Sequence, residues 1–130
     1  MRTSAGSRSV VAAASAGASP IYATSLVVAS ATAAAVTDEP AVTIVAAGLN
    51  GVEPADEDDA TANLLEALLT KTPHRTETMI EVLLAGTGAK RLLTTPSIDD
   101  RDLDLCLAVD AFDFPMEVTS ETGLLVLKRG

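Results

Sequence analysis

The feature that most constrains the fold is an apolar segment at residues 41–47, with the sequence AVTIVAA. It is the clearest strand in the chain, and a strand that is apolar throughout is expected to be covered on both faces. Earlier and later segments alternate between strand and helix patterns, which predicts right-handed crossovers and parallel strands. The sequence therefore predicts an α/β fold with a parallel or mixed sheet, crossover helices and a closing β-hairpin.

The remaining segments extend this alternation into a single domain over residues 1–130. A polar turn at residues 120–122 joins the last two strands. The sequence shows no internal repeat, flexible linker or second domain. The predicted helices are 8–16, 25–36, 55–69, 75–85, 89–95 and one that starts at 96–100; the other predicted strands are 20–24, 113–119 and 123–128.

The composition excludes several classes of protein. Hydrophobic residues make up 48% of the chain, which is too many for an acidic disordered tail. Nine Lys and Arg against eighteen Asp and Glu give a net charge of −9, so nothing neutralises a phosphate backbone and nucleic acid is not an expected partner. Aromatic residues are 2% (Tyr22, Phe112 and Phe114), too few for a base-stacking platform.

The acid excess has two interpretations, which both stay open. Lysine is scarce (Lys71, Lys90 and Lys128), and a strongly acidic surface of this kind suits a salt-adapted, halophilic host. A GC-rich genome also enriches Ala, Asp and Thr. The single cysteine, Cys106, excludes an internal disulfide and fits a reducing cytoplasm. Its apolar neighbours predict a buried structural thiol.

The N-terminus does not have the pattern of a secretory signal. Arg2 and Arg8 precede an alanine run, but the run is short and is broken by Gly17 and Pro20. Ser and Thr interrupt every stretch of about 18 residues that could cross a membrane. We therefore expect a cytoplasmic protein with no membrane partner.

The first candidate site is the loop after the apolar segment. Gly48 and Gly51 allow the backbone to approach a ligand, and the acids at 56–59 follow at once. Clustered carboxylates suit Mg²⁺, which takes one or two of them together with water and substrate phosphate. The alternative is that acids in the first turn of a helix stabilise its dipole without any ligand.

The second candidate site is residues 4–8, with the sequence SAGSR. The backbone amides of Gly6 and Ser7, the Ser7 hydroxyl and the Arg8 guanidinium could bind an anion at the start of a helix. The alternative is a simple helix cap at a frayed terminus. His74, the single histidine, is predicted to be exposed and not to bind zinc. The acids at 99–104 are predicted to cap a helix and face solvent.

Several motifs together resemble the 2-phosphosulfolactate phosphatase family. Residues 98–115 are similar to its C-terminal signature, an acid-led helix with a Cys-Leu pair followed by Asp, Asp and Pro. Residues 88–93 resemble its Gly-x-(Lys/Arg)-Leu stretch. The loop at 47–51 and the acids Asp56 and Glu57 resemble its Ala-Gly-x-x-Gly loop and acidic pair. Residues 4–8 resemble its Asn-Gly-(Thr/Ser)-Arg motif.

The resemblance implies a Mg²⁺-dependent acid phosphatase of coenzyme M biosynthesis. Its substrate would be a small anionic phosphate ester, 2-phospho-3-sulfolactate. By position, Gly6, Ser7 and Arg8 would bind an anionic end of the substrate, together with the glycine loop. Asp56 and Glu57 would be the catalytic and metal-binding residues.

The departures from the family pattern concern the first half of such proteins. Its Asp-Val-x-Arg-Ala motif is absent from the sequence, and Ala5 and Val28 replace residues that the family has as Asn. Asp59 and Ala60 stand where the family has an apolar residue and Cys. These departures predict a C-terminal half, a split-gene product or a decayed paralogue, which would pair with a second copy or with a separate N-terminal-half chain.

Two alternatives to the phosphatase therefore stay open. One is a non-catalytic remnant that binds an acidic small molecule or oligomerises. The other is an unrelated acidic α/β ligand-binding domain.

Overall fold

The structure is a computed structural model that describes residues 4–96 and 98–130. Arg2, one of the two arginines before the alanine run, lies outside these residues. Within the described ranges, no helix is both long and apolar enough to cross a membrane. The elements in chain order are helix α1 (Ala5–Ser15), strand β1 (Tyr22–Ala23), a 3₁₀ turn (Leu26–Val28), helices α2 (Ala29–Ala35), α3 (Asp56–Thr70), α4 (Thr76–Ala85), α5 (Thr87–Leu93) and α6 (Asp100–Cys106), and strands β2 (Met116–Glu121) and β3 (Leu124–Arg129).

The helices begin where local side-chain chemistry favours them. Ser4 Oγ accepts a hydrogen bond from the Ser7 amide at 3.1 Å and caps α1. Asp99 and Asp102 form a reciprocal capping box at the start of α6, as predicted for these acids. Four acids occupy the first turn of α3, where they oppose the positive end of the helix dipole. His74 lies exposed in the connection between α3 and α4, as predicted.

The three strands form one antiparallel sheet in the order β1-β2-β3. The closing hairpin is confirmed, but its turn lies at Thr122–Gly123 and not at the predicted 120–122, because residues 120 and 121 belong to β2. β2 and β3 pair over their full lengths, from Met116 opposite Arg129 to Glu121 opposite Leu124. Its two-residue turn has positive φ at both Thr122 (47°) and Gly123 (81°), the geometry that matches the twist of the strands. β1 pairs antiparallel with the other edge of β2, with Tyr22 opposite Glu117.

The prediction of a parallel sheet with crossover helices is wrong for the described residues. Every strand pair is antiparallel, and the segment at 41–47, predicted to be the central strand, pairs with none of them. It runs without helix, turn or bend, and lies between α2 and the loop before α3. The physical reason is that apolar composition favours a strand, whereas a sheet also needs a second strand in reach of it.

The core lies between the helices rather than on a parallel sheet. Leu26, Ala29, Leu64 and Leu83 form the buried cluster, and Leu107 and Val109 pack partly against it. Ala29 is completely buried, at 0% exposure, so α2 approaches its neighbours through small side chains. Alanine therefore contributes to the close packing of the core. The core joins the first, middle and last parts of the chain in one compact domain.

Cys106 is exposed, and the prediction of a buried thiol is wrong. It ends α6, a helix of two turns that buries only Leu103. Leu105 beside it is 64% exposed, so apolar neighbours in sequence did not indicate burial here. The apolar residues around Cys106 therefore do not continue the buried side of α6, which is formed by Leu103.

Candidate functional site

Asp56 and Glu57, here called the acid pair, are the first two residues of α3. The helix starts after the buried Ala55, which anchors this end of the helix against the rest of the molecule. Asp58, one residue further on, accepts a hydrogen bond from the Gly48 amide at 2.7 Å. In the first turn of α3, Asp58 therefore holds the preceding loop. The acid pair makes different contacts, with residues of α5.

The acid pair lies against the backbone between α4 and α5. The Gly88 amide donates to Asp56 Oδ2 at 3.2 Å. A Cβ atom at Gly88 would lie 2.6 Å from Asp56 Oδ1 and 2.6 Å from Glu57 Oε2, closer than carbon and oxygen pack. A Cβ at Gly86 would also overlap the Asp56 carboxylate. Both glycines let the backbone approach these oxygens more closely than a residue with a side chain would.

The two carboxyl groups shift each other's pKa in opposite directions. A side-chain hydrogen bond from Glu57 lowers the pKa of Asp56, and the amide of Gly88 acts in the same direction. The same bond raises the pKa of Glu57, and partial burial adds to the rise. Of the two, Glu57 therefore holds a proton to higher pH than Asp56 does, although the Arg91 charge acts against the rise. Two carboxyl groups whose pKa values are shifted apart in this way can act as a general acid and a general base.

Arg91 on α5 lies beside the acid pair. Its Nη2 atom is 3.4 Å from Glu57 Oε1, and the two side chains are 49% and 48% exposed. A half-exposed pair at this distance contributes little to stability. The guanidinium is therefore available to bind an anion that approaches from solvent, with planar donor geometry suited to phosphate oxygens.

The loop before α3 is held by Arg8. Arg8 Nη2 donates to the Asn50 carbonyl at 2.7 Å, which joins α1 to the loop. Gly48 (φ 67°) sits where a Cβ would overlap the Glu53 carbonyl, so the loop closes through a glycine. A Cβ at Gly51 would be 3.6 Å from Arg8 Nη2. Arg8, Gly48 and Gly51 are therefore brought together, and Asp58 connects this loop to α3.

The predicted residues divide into two groups around the start of α3. Arg8, Gly48 and Gly51 belong to the loop side, and Asp56 and Glu57 contact α5. Gly6 and Ser7 lie in the first turn of α1, but the Ser7 amide is already donated to Ser4 Oγ. The helix-cap interpretation of residues 4–8 thus accounts for Ser4 and Ser7, while Arg8 reaches the loop.

Sequence reasoning did not place Gly86, Gly88 and Arg91 in the site. These residues are about thirty positions from the acid pair in the chain, and Gly86 and Gly88 lie between the predicted helices 75–85 and 89–95. The available signal was two glycines around Thr87 followed by Lys90 and Arg91, a pattern that allows close backbone approach next to positive charge.

The donor set of the acid pair fits Mg²⁺ in type. Two neighbouring carboxylates supply hard oxygen ligands, and Mg²⁺ completes its shell with water and substrate oxygens. Among the described residues, no group of three or more His, Cys, Asp or Glu side chains could hold a metal ion. Any Mg²⁺ here would be held by Asp56 and Glu57, and its binding would require both carboxyl groups to be ionised.

Comparison of the chain with protein-family models, curated proteins and solved structures finds no match.

Proposed function

We propose that this chain is a Mg²⁺-dependent phosphate monoester hydrolase that acts on a small anionic ester of the 2-phosphosulfolactate type. The observation that carries the proposal is the contact of the acid pair with Gly88 and Arg91. Two carboxyl groups with oppositely shifted pKa values and a guanidinium then lie together at the solvent-facing start of a helix. The motif resemblance described above supplies the substrate class and its place in coenzyme M biosynthesis.

Each group has a role in ester hydrolysis. Arg91 binds an oxygen of the phosphate and offsets the charge that develops on it. Glu57, whose pKa is raised, would supply the proton that the leaving alkoxide oxygen requires, and Asp56, whose pKa is lowered, would orient the attacking water. Arg8 keeps the loop at Asn50 in place, next to the start of α3.

Mg²⁺ would polarise the phosphoryl oxygens as a Lewis acid when bound by Asp56 and Glu57. Mg²⁺ and a proton on Glu57 would compete for the same carboxyl oxygens. The Mg²⁺ dependence of the pH profile therefore distinguishes a metal-binding role of Glu57 from a proton-donating role.

The test measures phosphate release from 2-phosphosulfolactate and from p-nitrophenyl phosphate, with and without millimolar Mg²⁺, at low and high salt. D56N and E57Q should each lower the rate by about 10² to 10⁴. D59N is the matched control, because Asp59 is an exposed acid of the same helix turn. An absence of Mg²⁺-dependent release under all conditions would overturn the proposal.

A second candidate is a non-catalytic domain that binds acidic small molecules. It is favoured by the openness of the site, where Glu57 and Arg91 are both about half exposed. Calorimetric titration with phosphate and with sulfolactate separates the two candidates. Binding that R91A abolishes, in the absence of hydrolysis, would support the non-catalytic domain.

A further inference from the structure

The start of helix α5 has no side-chain cap of its own. Gly86 is the N-cap residue, with the extended backbone usual at that position (φ −75°, ψ 177°), and as a glycine it has no side chain that could accept a hydrogen bond. The first amides of an α-helix have no partner within the helix, and a Ser, Thr, Asp or Asn side chain at the N-cap usually accepts from the second or third of them. The acceptor for α5 must therefore come from another part of the chain or from solvent.

Asp56, in the first turn of α3, supplies this acceptor. Gly88 is the second residue of α5, and its amide donates to Asp56 Oδ2 at 3.2 Å, which is the bond that an N-cap side chain would make. A Cβ built on Gly86 would overlap the same oxygen. The pKa of Asp56 is lowered mainly by the Glu57 side chain, and the backbone amides of Gly88 and Thr87 lower it further. The Asp56 carboxylate thus occupies the place that a side chain of residue 86 would fill.

A single buried residue packs α5 against the rest of the molecule. The helix has seven residues, Thr87–Leu93, and Ala89 is the buried one. A helix of this length is not stable by itself in water, because few of its residues repay the cost of forming the first turn. The stability and direction of α5 therefore depend strongly on the contacts at its start, where Asp56 binds it.

Arg91 lies on the same short helix, one turn after Gly88. Its Nη2 atom is 3.4 Å from Oε1 of Glu57, the residue that follows Asp56 in α3. Two neighbouring residues of α3 thus contact α5 at two points, the first turn and the Arg91 side chain. The half-exposed ion pair contributes little by itself. The hydrogen bond at the start of α5 is therefore the contact that fixes where Arg91 projects.

We propose that Asp56 is the N-cap of α5, supplied by a different helix, and that it thereby positions Arg91 to bind an anionic ligand. The capping contact does not depend on the proposed hydrolase activity, whereas the part of Arg91 in binding an anion rests on that proposed function. An ionised carboxylate accepts about four hydrogen bonds, and the backbone amides that reach Asp56 leave part of this capacity free. Capping is therefore compatible with the role assigned to Asp56 in hydrolysis.

Transfer of the cap from Asp56 to residue 86 tests the contact. D56A should raise the equilibrium constant for unfolding about fivefold, because α5 loses its cap. D59A, which removes an exposed acid from the same turn of α3, is the control and should raise it about twofold or less. Within the D56A background, the unfolding constant of D56A/G86S should be about fivefold lower than that of D56A/G86A, because only serine supplies an acceptor. Both variants add a Cβ at 3.1 Å from the Leu83 carbonyl oxygen, so any strain cancels in this comparison.

Phosphate binding tests whether the cap acts through Arg91. D56A/G86S and D56A/G86A have the same net charge, so the electrostatic effect of losing Asp56 cancels between them. Calorimetric titration with inorganic phosphate should give an affinity about threefold or more higher for D56A/G86S, because the start of α5 is fixed before the ligand binds. Addition of R91A to both variants should remove this difference, since two residues that act through one contact are not additive.

Denaturant unfolding curves that coincide for D56A/G86S and D56A/G86A would overturn the cap. Restored stability with equal phosphate affinities would overturn the positioning of Arg91. Failure of the proposed hydrolase gives a different result: the wild type would release no phosphate from esters, while D56A/G86S would still be more stable and bind phosphate more tightly than D56A/G86A. That result would refute the hydrolase and support the inference drawn here.

Discussion

Asp110 holds Ser30 with both carboxylate oxygens, across 80 positions of the sequence: Oδ1 accepts from the Ser30 amide at 2.7 Å and Oδ2 from the Ser30 hydroxyl at 2.6 Å. Ser30 lies in the first turn of α2, so a side chain from the C-terminal part of the chain caps this helix. The Asp110 amide also donates to the Leu26 carbonyl at 3.0 Å. The contact ties the segment before β2 to the start of the core.

D110A should therefore lower the free energy of unfolding by about 1–2 kcal/mol, the usual effect of losing a helix cap. Denaturant unfolding followed by circular dichroism measures it. D113A is the control. The Asp113 side chain is 94% exposed, and its ion pair with Arg129 is long, at 3.7 Å, so D113A should change stability by less than about 0.5 kcal/mol. Equal losses for both variants would show that the Ser30 contact adds nothing.

A methyl group at Gly88 tests the geometry of the acid pair. G88A should push the Asp56 and Glu57 carboxyl groups away from the backbone, because its Cβ would lie 2.6 Å from an oxygen of each. These are the ends of mobile side chains, so we expect a fall in activity and Mg²⁺ affinity of about tenfold or more with stability nearly unchanged. Mg²⁺ titration by calorimetry measures the affinity, and unaltered binding would contradict the arrangement.

The pH profile of the hydrolase activity should reflect the opposite pKa shifts of Asp56 and Glu57. Asp56, with its lowered pKa, stays ionised to more acidic pH, and Glu57, with its raised pKa, stays protonated to less acidic pH. Activity should be highest between these two pKa values and should fall as pH rises through that of Glu57. In E57Q the high-pH decline should disappear from the residual rate. A wild-type profile that stays flat across the mildly acidic range would argue against a proton-donating Glu57.

The pKa shifts of Asp56 and Glu57 contribute to folding stability in opposite pH ranges. The Glu57 contribution is present below its unfolded pKa and is lost as pH rises through its folded value, because the folded state holds the proton more tightly. The Asp56 contribution is present above its unfolded pKa and is lost as pH falls through its lowered folded value. Comparison of unfolding curves for the wild type and E57Q at pH 4 to 7 should show a small difference that shrinks at the upper end.

Packing around α2 gives a matched pair of substitutions on one helix. Ala29 is fully buried, and A29L should destabilise the protein by about 1–3 kcal/mol through overpacking. Ala34 is exposed, so A34L should stay within about 0.5 kcal/mol of the wild type. Thermal and denaturant unfolding measure both. Similar stability for A29L and A34L would mean that the core is not packed closely at α2.

Gly6 offers a test of the N-terminal helix without removing an amide. It lies in α1, and a Cβ there would meet Ser4 Oγ at an ordinary 4.0 Å. G6A should stabilise the protein by about 0.5–1 kcal/mol, because alanine has the higher helix propensity. G6A keeps the backbone amide of residue 6. If that amide binds the phosphate, G6A should leave phosphate binding unchanged. A loss of stability would show that this turn is not helical.

The sequence by itself determined the local features of this protein. Capping by Ser4 and Asp99, the acids at the start of α3 and the closing hairpin depend on residues a few positions apart, so short patterns predict them. The sequence also identified Asp56 and Glu57 as candidates, together with the loop at Gly48 and Gly51.

Only the tertiary structure decided how those parts meet. The contacts of Glu57 with Arg91, of Arg8 with Asn50 and of Ser30 with Asp110 span 34, 42 and 80 positions. No local pattern specifies such contacts, because they depend on how the helices pack around the core. The segment at 41–47 shows the same limit: its composition predicts a strand, but pairing needs backbone groups from elsewhere. Within the described residues, no other part of the chain pairs with this segment.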